Sequence, residues 1–466
     1  MLVLVLRALL ACVAISILLS ACTGDGDSAA EPTATPRPST SPANTTPPTE
    51  TPTPTPASPY APGWSAIHAD AANSDYSPVR VSDTLDVAWH RSFDGAIKVG
   101  ELEWTINVGP TIGPDGLLYL TTTVPGCHLQ ALDTETGETA WCSTEVGLQA
   151  VISSALVDTA GTLYLADAEA MHAFDATGAL LWETPIVGVP LSAQFTPHGR
   201  VIFITHVGIA YVLDPATGEP AMPPHELVPG ASWDGVGGLW DCARGLEGCP
   251  SANTIAIDHR MGRIFFTFWE PGAPQAGLRA MSLTESSSSA SLTPLWENVS
   301  LPGGSASSPA LSADGARVYV TDNVDSMHAL DAATGDIVWT YAFGAASGGS
   351  VSVSPDGVLM AAGGDLQAIR DDGDHATLLW RWDGVVNRGI ATQAAGNRTY
   401  ATVRSTTEGA SQYANDLIVV DTLSGAELQR IPLDGPTIFS IGITIGPDGM
   451  VYVPFIQGDL FALAGP

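Results

Sequence analysis

Downstream of Pro62 the chain runs in short apolar stretches bounded by turn residues, some with large and small residues alternating as Leu-x-Ala-x, the pattern of strands sandwiched between neighbouring sheets. A tight turn ending in glycine recurs before such a stretch. Gly113-Pro-Asp-Gly116 leads into Leu-Leu-Tyr-Leu, Asp158-Thr-Ala-Gly161 into Thr-Leu-Tyr-Leu, and Thr196-Pro-His-Gly199 into Arg-Val-Ile-Phe. The series continues at His259–Gly262, Ser312–Gly315, Ser354–Gly357, Ala394–Gly396 and Gly446–Gly449, eight copies in all. From Gly116 to Gly449 the seven intervals average about 48 residues, a spacing that points to propeller blades or solenoid repeats. Proline presets φ in these turns and the closing glycine accepts the left-handed conformation, so each copy is a hairpin turn.

A second motif follows the first at a similar offset. It reads Ala131-Leu-Asp-Thr-Glu-Thr-Gly137 with Trp141, Ala173-Phe-Asp-Ala-Thr-Gly178 with Trp182, and Ala329-Leu-Asp-Ala-Ala-Thr-Gly335 with Trp339. Weaker copies lie at Val212–Gly218, at Ala280 with Trp296, at Ala368 with Trp380, at Val419–Gly425 and at the terminal Phe461–Leu463. Each repeat therefore holds four strands: one before the first turn, one after it, one ending in the aspartate and one carrying the tryptophan. Four antiparallel strands make a blade, and eight repeats predict an all-β, eight-bladed β-propeller spanning 63–466. The last repeat stops at Pro466 before any tryptophan strand. Its missing strand is found at the other end of the body, as Leu85-Asp-Val-Ala-Trp89-His-Arg-Ser-Phe93, which is expected to close the ring and remove two raw sheet edges.

The repeat breaks once. Gly199 and Gly262 are 63 residues apart, and the excess lies between about Pro223 and Ala252. This stretch is rich in glycine and carries Trp233 and Trp240, a candidate stacking surface for a sugar or a peptide, or else a cap over the channel. Cys242 and Cys249 enclose part of it, while Cys127 and Cys142 flank the Asp133–Gly137 turn, so two local disulfides are expected in an oxidising compartment, with metal binding as the alternative.

Charge and composition narrow the function. The 466 residues carry 17 basic and 49 acidic side chains, and Lys98 is the only lysine. Phosphate neutralisation requires clustered cations, so a nucleic-acid partner is excluded. Residues 1–21 hold only Arg7 as a charge and an apolar run from Ala8 to Leu19, the makeup of a secretory signal. The run ends in Leu19-Ser20-Ala21-Cys22, which resembles the lipobox of bacterial lipoproteins. That resemblance implies acylation of Cys22, with each buried methylene contributing about 0.8 kcal/mol to membrane attachment. From Glu31 to Tyr60, ten residues are proline and nine threonine, so 22–62 reads as a lipidated cysteine followed by a stiff tether. At roughly 3.1 Å per residue it reaches up to about 120 Å.

The recurring Ala-Leu-Asp-x-x-Thr-Gly-x-x-x-Trp unit resembles the repeat of pyrroloquinoline-quinone-like eight-bladed propellers, and Gly63-Trp64 through His68, Asp70 and Asn73 looks like their opening segment. The family includes calcium-dependent quinoprotein dehydrogenases, lipid-anchored assembly factors such as the propeller subunit of the outer-membrane barrel assembly machine, and binding proteins, so fold alone does not choose. Among the dehydrogenases the resemblance implies adjacent cysteines at the cofactor, a Glu/Asn pair on calcium, a catalytic aspartate and a basic residue at the quinone. No Cys-Cys dipeptide occurs in this chain. Asp322-Asn323-Val-Asp325 has the donors for a cation but reads more readily as a turn. His172 and His328 share one repeat position, which points to a structural role. The expectation is a lipid-anchored, extracytoplasmic, monomeric scaffold of the bacterial envelope. It is read as having no catalytic residues, metal or cofactor, and as binding the membrane through its anchor and envelope proteins through its body. A calcium- and quinone-dependent dehydrogenase is the first alternative, a sugar- or peptide-binding surface protein the second.

Overall fold

The computed structural model describes residues 58–466 except 96, 100–101, 236, 251–252, 345–348 and 436; the signal, Cys22 and most of the tether lie outside the described residues. Residues 58–466 form one compact unit. Eight antiparallel sheets succeed one another along the chain, and the strands of each run from the inside of the ring outwards. Blade 1 is Thr111–Ile112, Leu117–Thr121, Leu129–Asp133 and Thr139–Ser143, and the same order recurs through blade 7, which ends at Glu427–Leu433. Among the described residues no helix is long and apolar enough to cross a membrane.

Blade 8 takes three strands from the C-terminus and its fourth from Asp86–Ser92. That strand runs antiparallel to Asp459–Ala464 with Trp89 opposite Ala462, so the ring is closed where the repeat count required. The seam is also packed. Leu118, Leu120 and Leu132 of blade 1 share a buried apolar cluster with Tyr452, Leu460 and Ala462 of blade 8. Apolar side chains on both faces of the middle strands are buried in this way between neighbouring blades, which is why those strands read as nearly continuous apolar runs.

The Thr-Gly-x-x-x-Trp spacing has a geometric cause. The outer-strand tryptophans lie over the turn of the next blade and donate the indole N–H there: to a backbone carbonyl for Trp89 (Thr134, 3.0 Å), Trp141 (Ala176, 2.9 Å) and Trp380 (Thr422, 2.8 Å), and to the Asp371 carboxylate for Trp339 (3.0 Å). The turn must be glycine because φ is +71° at Gly137 and an added Cβ would stand 2.6 Å from the Trp89 ring. In blade 7 Gln429 replaces the tryptophan, and its amide bonds both the N–H and the carbonyl of Leu85, at 2.9 and 2.7 Å. Blade 3 is the exception, with an outer strand of only His225–Glu226.

The glycine turns occupy one face of the ring, and the connections between blades occupy the other. On the turn face, the floor, residues 61–77 pass across the inner strands and bond them in succession. Ile112 N–H donates to Trp64, Val157 to Ser65, Ile257 to Ala71, Leu311 to Ala72, Val353 to Ser74 and Gln393 to Asp75. Tyr76–Ser77 then adds a parallel fifth strand to blade 7.

Candidate functional site

The connection face, the roof, is where the repeat is broken twice. The stretch from 227 to 250, described except at 236, follows the shortened outer strand of blade 3 and includes a single helical turn, Leu239–Ala243. Leu239 drops into an apolar cluster of Val151, Ile152, Val189 and Leu191, and Trp233 packs against the same cluster. The far end of the insert is held by Asn323, whose amide donates to the carbonyls of Arg244 at 2.9 Å and Gly303 at 3.0 Å. The second break is a hairpin, Ile97–Val99 with Leu102–Trp104, between the closing strand and blade 1. Its Trp104 meets Trp240 of the insert with ring centroids 5.5 Å apart. Trp104 carries no repeat motif, and its indole bond to Asn107 at 2.9 Å is local, so nothing along the chain signals its partner.

Trp233 and Trp240 therefore belong to one loop but to different surfaces. Trp240 is exposed beside the hairpin; Trp233 is half-buried, edge-on to the His206 ring at 4.8 Å. Burial pushes the His206 imidazole down to about 4, and the N–H of Val189 donates to its Nδ1 at 2.9 Å, which holds the neutral ring. Trp233 also walls a cavity of about 550 Å³ lined by Glu145, Gly147, Gln149, Asp167 and Glu169, from the connections and turns of blades 1 and 2.

The acids of this cavity differ. Burial drives the Asp167 carboxyl upward, but His172 within 3.2 Å and the N–H groups of Glu169, Gly147 and Ala170 outweigh it and hold it at about 2. Its oxygens are committed to the turn. The Glu145 and Glu169 side chains are at the exposed rim. The same turn recurs in blade 5, where Asp322 accepts from Val324, Asp325 and Ser326 N–H and its other oxygen lies 3.0 Å from His328. His172 and His328 thus brace equivalent turns, and Asp322 and Asn323 are taken up by the fold rather than by a cation.

At the floor, His68 stands between Asp75, 2.9 Å from Nδ1, and Ser308, 2.9 Å from Nε2. The order of groups is that of a nucleophilic triad. All three are buried, and none lines the cavity under Trp233 or the floor cavity of about 440 Å³ beside Tyr60 and His259. Asn73 completes the plug, donating to Pro309 at 2.9 Å and accepting from Gln194 at 2.8 Å. We read the cluster as a polar knot that fixes the floor.

The residues present do not fit a quinone with calcium. Asp70 is bonded by Ala72 and Ser74, Asp75 by His68, and Asp322 by its turn. Among the described residues no group of three or more His, Cys, Asp or Glu side chains is placed to hold a metal. The cysteines form two separate pairs, Cys127 with Cys142 and Cys242 with Cys249, with Cα atoms 5.5 and 4.9 Å apart, within bridging range.

A ring of eight Trp-docked blades, floored by a buried segment and roofed by irregular connections, is a propeller of the pyrroloquinoline-quinone-like class. A family model described as outer membrane protein assembly factor BamB matches residues 86–196 and 286–442, and the chain belongs to that family. The gap between the two matched segments contains the roof insert. Protein Rv3035 of Mycobacterium tuberculosis is 30% identical over 410 residues, 87% of this chain and 96% of its own. BamB from Moraxella catarrhalis superimposes with a TM-score of 0.54 at 13% identity, covering 82% of this chain and 100% of that one. Quinohemoprotein alcohol dehydrogenase ADHIIG from Pseudomonas putida HK5 gives 0.58 at 14%, covering 86% and 80%. At these identities the structural likeness is one of fold.

Proposed function

We propose that the protein is a non-catalytic scaffold of the bacterial envelope, anchored outside the cytoplasm by an acylated Cys22 and binding an envelope protein through its roof. The observation that carries this reading is the roof itself: in a member of the assembly-factor family, three tryptophans outside the repeat, Trp104, Trp233 and Trp240, are gathered on the connection face, with Trp240 exposed beside Trp104. A binding surface is built where loops of a rigid frame converge. The low charge density of lysine and arginine suits a partner that is not anionic. The proximity of both cysteine pairs supports bridging in an oxidising compartment, where a bridge between Cys242 and Cys249 staples the insert.

The test is photo-cross-linking in the native cells with a photoreactive residue at Trp240 on the roof and, in parallel, at Glu135 on the floor. An envelope protein trapped from position 240 and not from position 135 supports the reading. Equal trapping from both, or from neither, overturns it. Cys22→Ser should release the protein from the membrane fraction, and its retention there would remove the anchor from the account.

A further inference from the structure

We propose that the cavity beneath Trp233 is a binding site for a cationic side chain, arginine before lysine, presented by a segment of the partner protein. This rests on the scaffold reading above and gives it a chemical specificity. The cavity holds about 550 Å³, ample for one extended side chain with its backbone. Its polar character is one-sided. Glu145 enters from the connection between blades 1 and 2 and Glu169 from a hairpin turn of blade 2, and among the described residues no lysine, arginine or histidine lines the space with them.

Two of the hydrogen-bond donors at the cavity are spent within the protein, which leaves the Thr144 hydroxyl and the Gln149 amide beside the two glutamates. The N–H of Gly147 donates to Asp167 at 2.8 Å, and the indole N–H of Trp233 donates to the carbonyl of Gly237 at 3.1 Å. Gln149 brings the one side-chain amide of the lining. A sugar needs donors as well as acceptors for its hydroxyls, whereas a guanidinium carries only donors. Its plane stacks on an indole face, and its fork spans carboxylates, which ranks arginine above the compact, strongly hydrated ammonium of lysine. Asp167, held as an anion by His172 and three N–H groups, adds negative potential behind the two glutamates without being available as a ligand itself. The indole is positioned by the His206 edge contact and by the apolar cluster under Leu239, so the wall is set before a ligand arrives.

Because the whole body is acidic, any cation is attracted somewhat, and the test must separate the cavity from net charge. The probe is the blocked pentapeptide Gly-Gly-Arg-Gly-Gly, titrated by calorimetry or peptide-observed NMR against the full folded protein, beside its lysine and citrulline counterparts. Citrulline keeps the shape of arginine without its charge. Arginine should bind at least tenfold more tightly than citrulline and more tightly than lysine. The Glu145→Gln/Glu169→Gln double variant should weaken arginine at least tenfold and Trp233→Leu severalfold. Glu138→Gln/Glu219→Gln, which removes the same charge from exposed floor turns, should change it by less than twofold. Equal weakening in the floor variant, equal binding of citrulline, or competition by a neutral oligosaccharide would each overturn the site. Cross-linking from Trp240 is read separately: its failure with peptide binding intact removes the envelope-scaffold reading and leaves the site standing, while the converse removes only the site.

Discussion

On the floor, residues 61–77 bond the inner strands of six blades, and their side chains tie His68, Asp75, Asn73, Gln194 and Ser308 into one buried network. On the roof, the insert and the hairpin rest on one apolar cluster, one tryptophan pair and a few bonds from Asn323. Both cross the same ring, but the floor satisfies backbone groups that the inner strands would otherwise leave bare, so it is bound to the blade count and cannot change without the ring changing. The roof is made of connections outside the repeat and can vary while every blade interface is kept. This difference explains why the binding surface is sought on the roof, and it can be broken or sharpened by experiment.

The largest effect is expected at the seam on which both faces depend. Deleting residues 86–92 removes the outer strand of blade 8 together with the Trp89 contact to blade 1. The edge of Asp459–Ala464 is then bare, and the variant should be oligomeric or insoluble by light scattering and melt far below the wild type. A soluble monomer with an unchanged melting midpoint would mean that the ring does not need its closure. Next in size is the floor. Burial raises the Asp75 carboxyl above its ordinary range while the His68 contact opposes the rise, so the pair is mutually dependent. Asp75→Ala leaves the imidazole buried without its partner and should cost about 3 kcal/mol in denaturant unfolding. A loss under about 1 kcal/mol would reduce the floor to a passive cover.

A smaller and pH-dependent effect belongs to the roof. His206 titrates at about 4 in the folded protein, below the ordinary 6.5, so between these values the unfolded chain binds more protons than the folded one. Stability is therefore complete above about pH 6.5 and is lost as pH falls toward 4. Between pH 7.5 and 5 the loss should be roughly 2 kcal/mol. His259 is also pushed down by burial and adds to the slope, so the measurement is the difference between wild type and His206→Gln across that range. Parallel pH profiles would show that His206 does not support the roof.

Legibility followed the same division. The blades, their number and the closing strand could be read because Gly-turn and Trp-strand motifs repeat with the geometry that requires them; Trp89 opposite Ala462 repeats the pairing of Trp141 with Ala131. Trp233 could be picked out as an aromatic in an irregular loop. Glu145, Gln149 and Glu169 could not, since the first two reach the cavity from an inter-blade connection and the third from a hairpin turn of the next blade, and nothing periodic relates them. The same holds for His68 with Ser308, 240 residues apart. Gln429 was hidden for a different reason: it fills a tryptophan position by bonding backbone, a substitution that the motif cannot signal.

The smallest effect is the one that most directly measures how loosely the roof is assembled. Trp104 and Trp240 come from connections at different positions around the ring, and their tilted contact joins the hairpin to the insert. Trp240 is 39% exposed, so truncating it also gives up burial, and only a cycle with its partner separates the specific ring contact from that loss. A double-mutant cycle with Trp104→Ala and Trp240→Ala should return a coupling of about 0.5 kcal/mol, the lower end for aromatic pairs. A coupling indistinguishable from zero would leave hairpin and insert independent, each free to meet a partner separately. One above about 2 kcal/mol would make the roof as cooperative as the floor, and the exposed tryptophans would then be holding the roof together rather than presenting a surface to a partner.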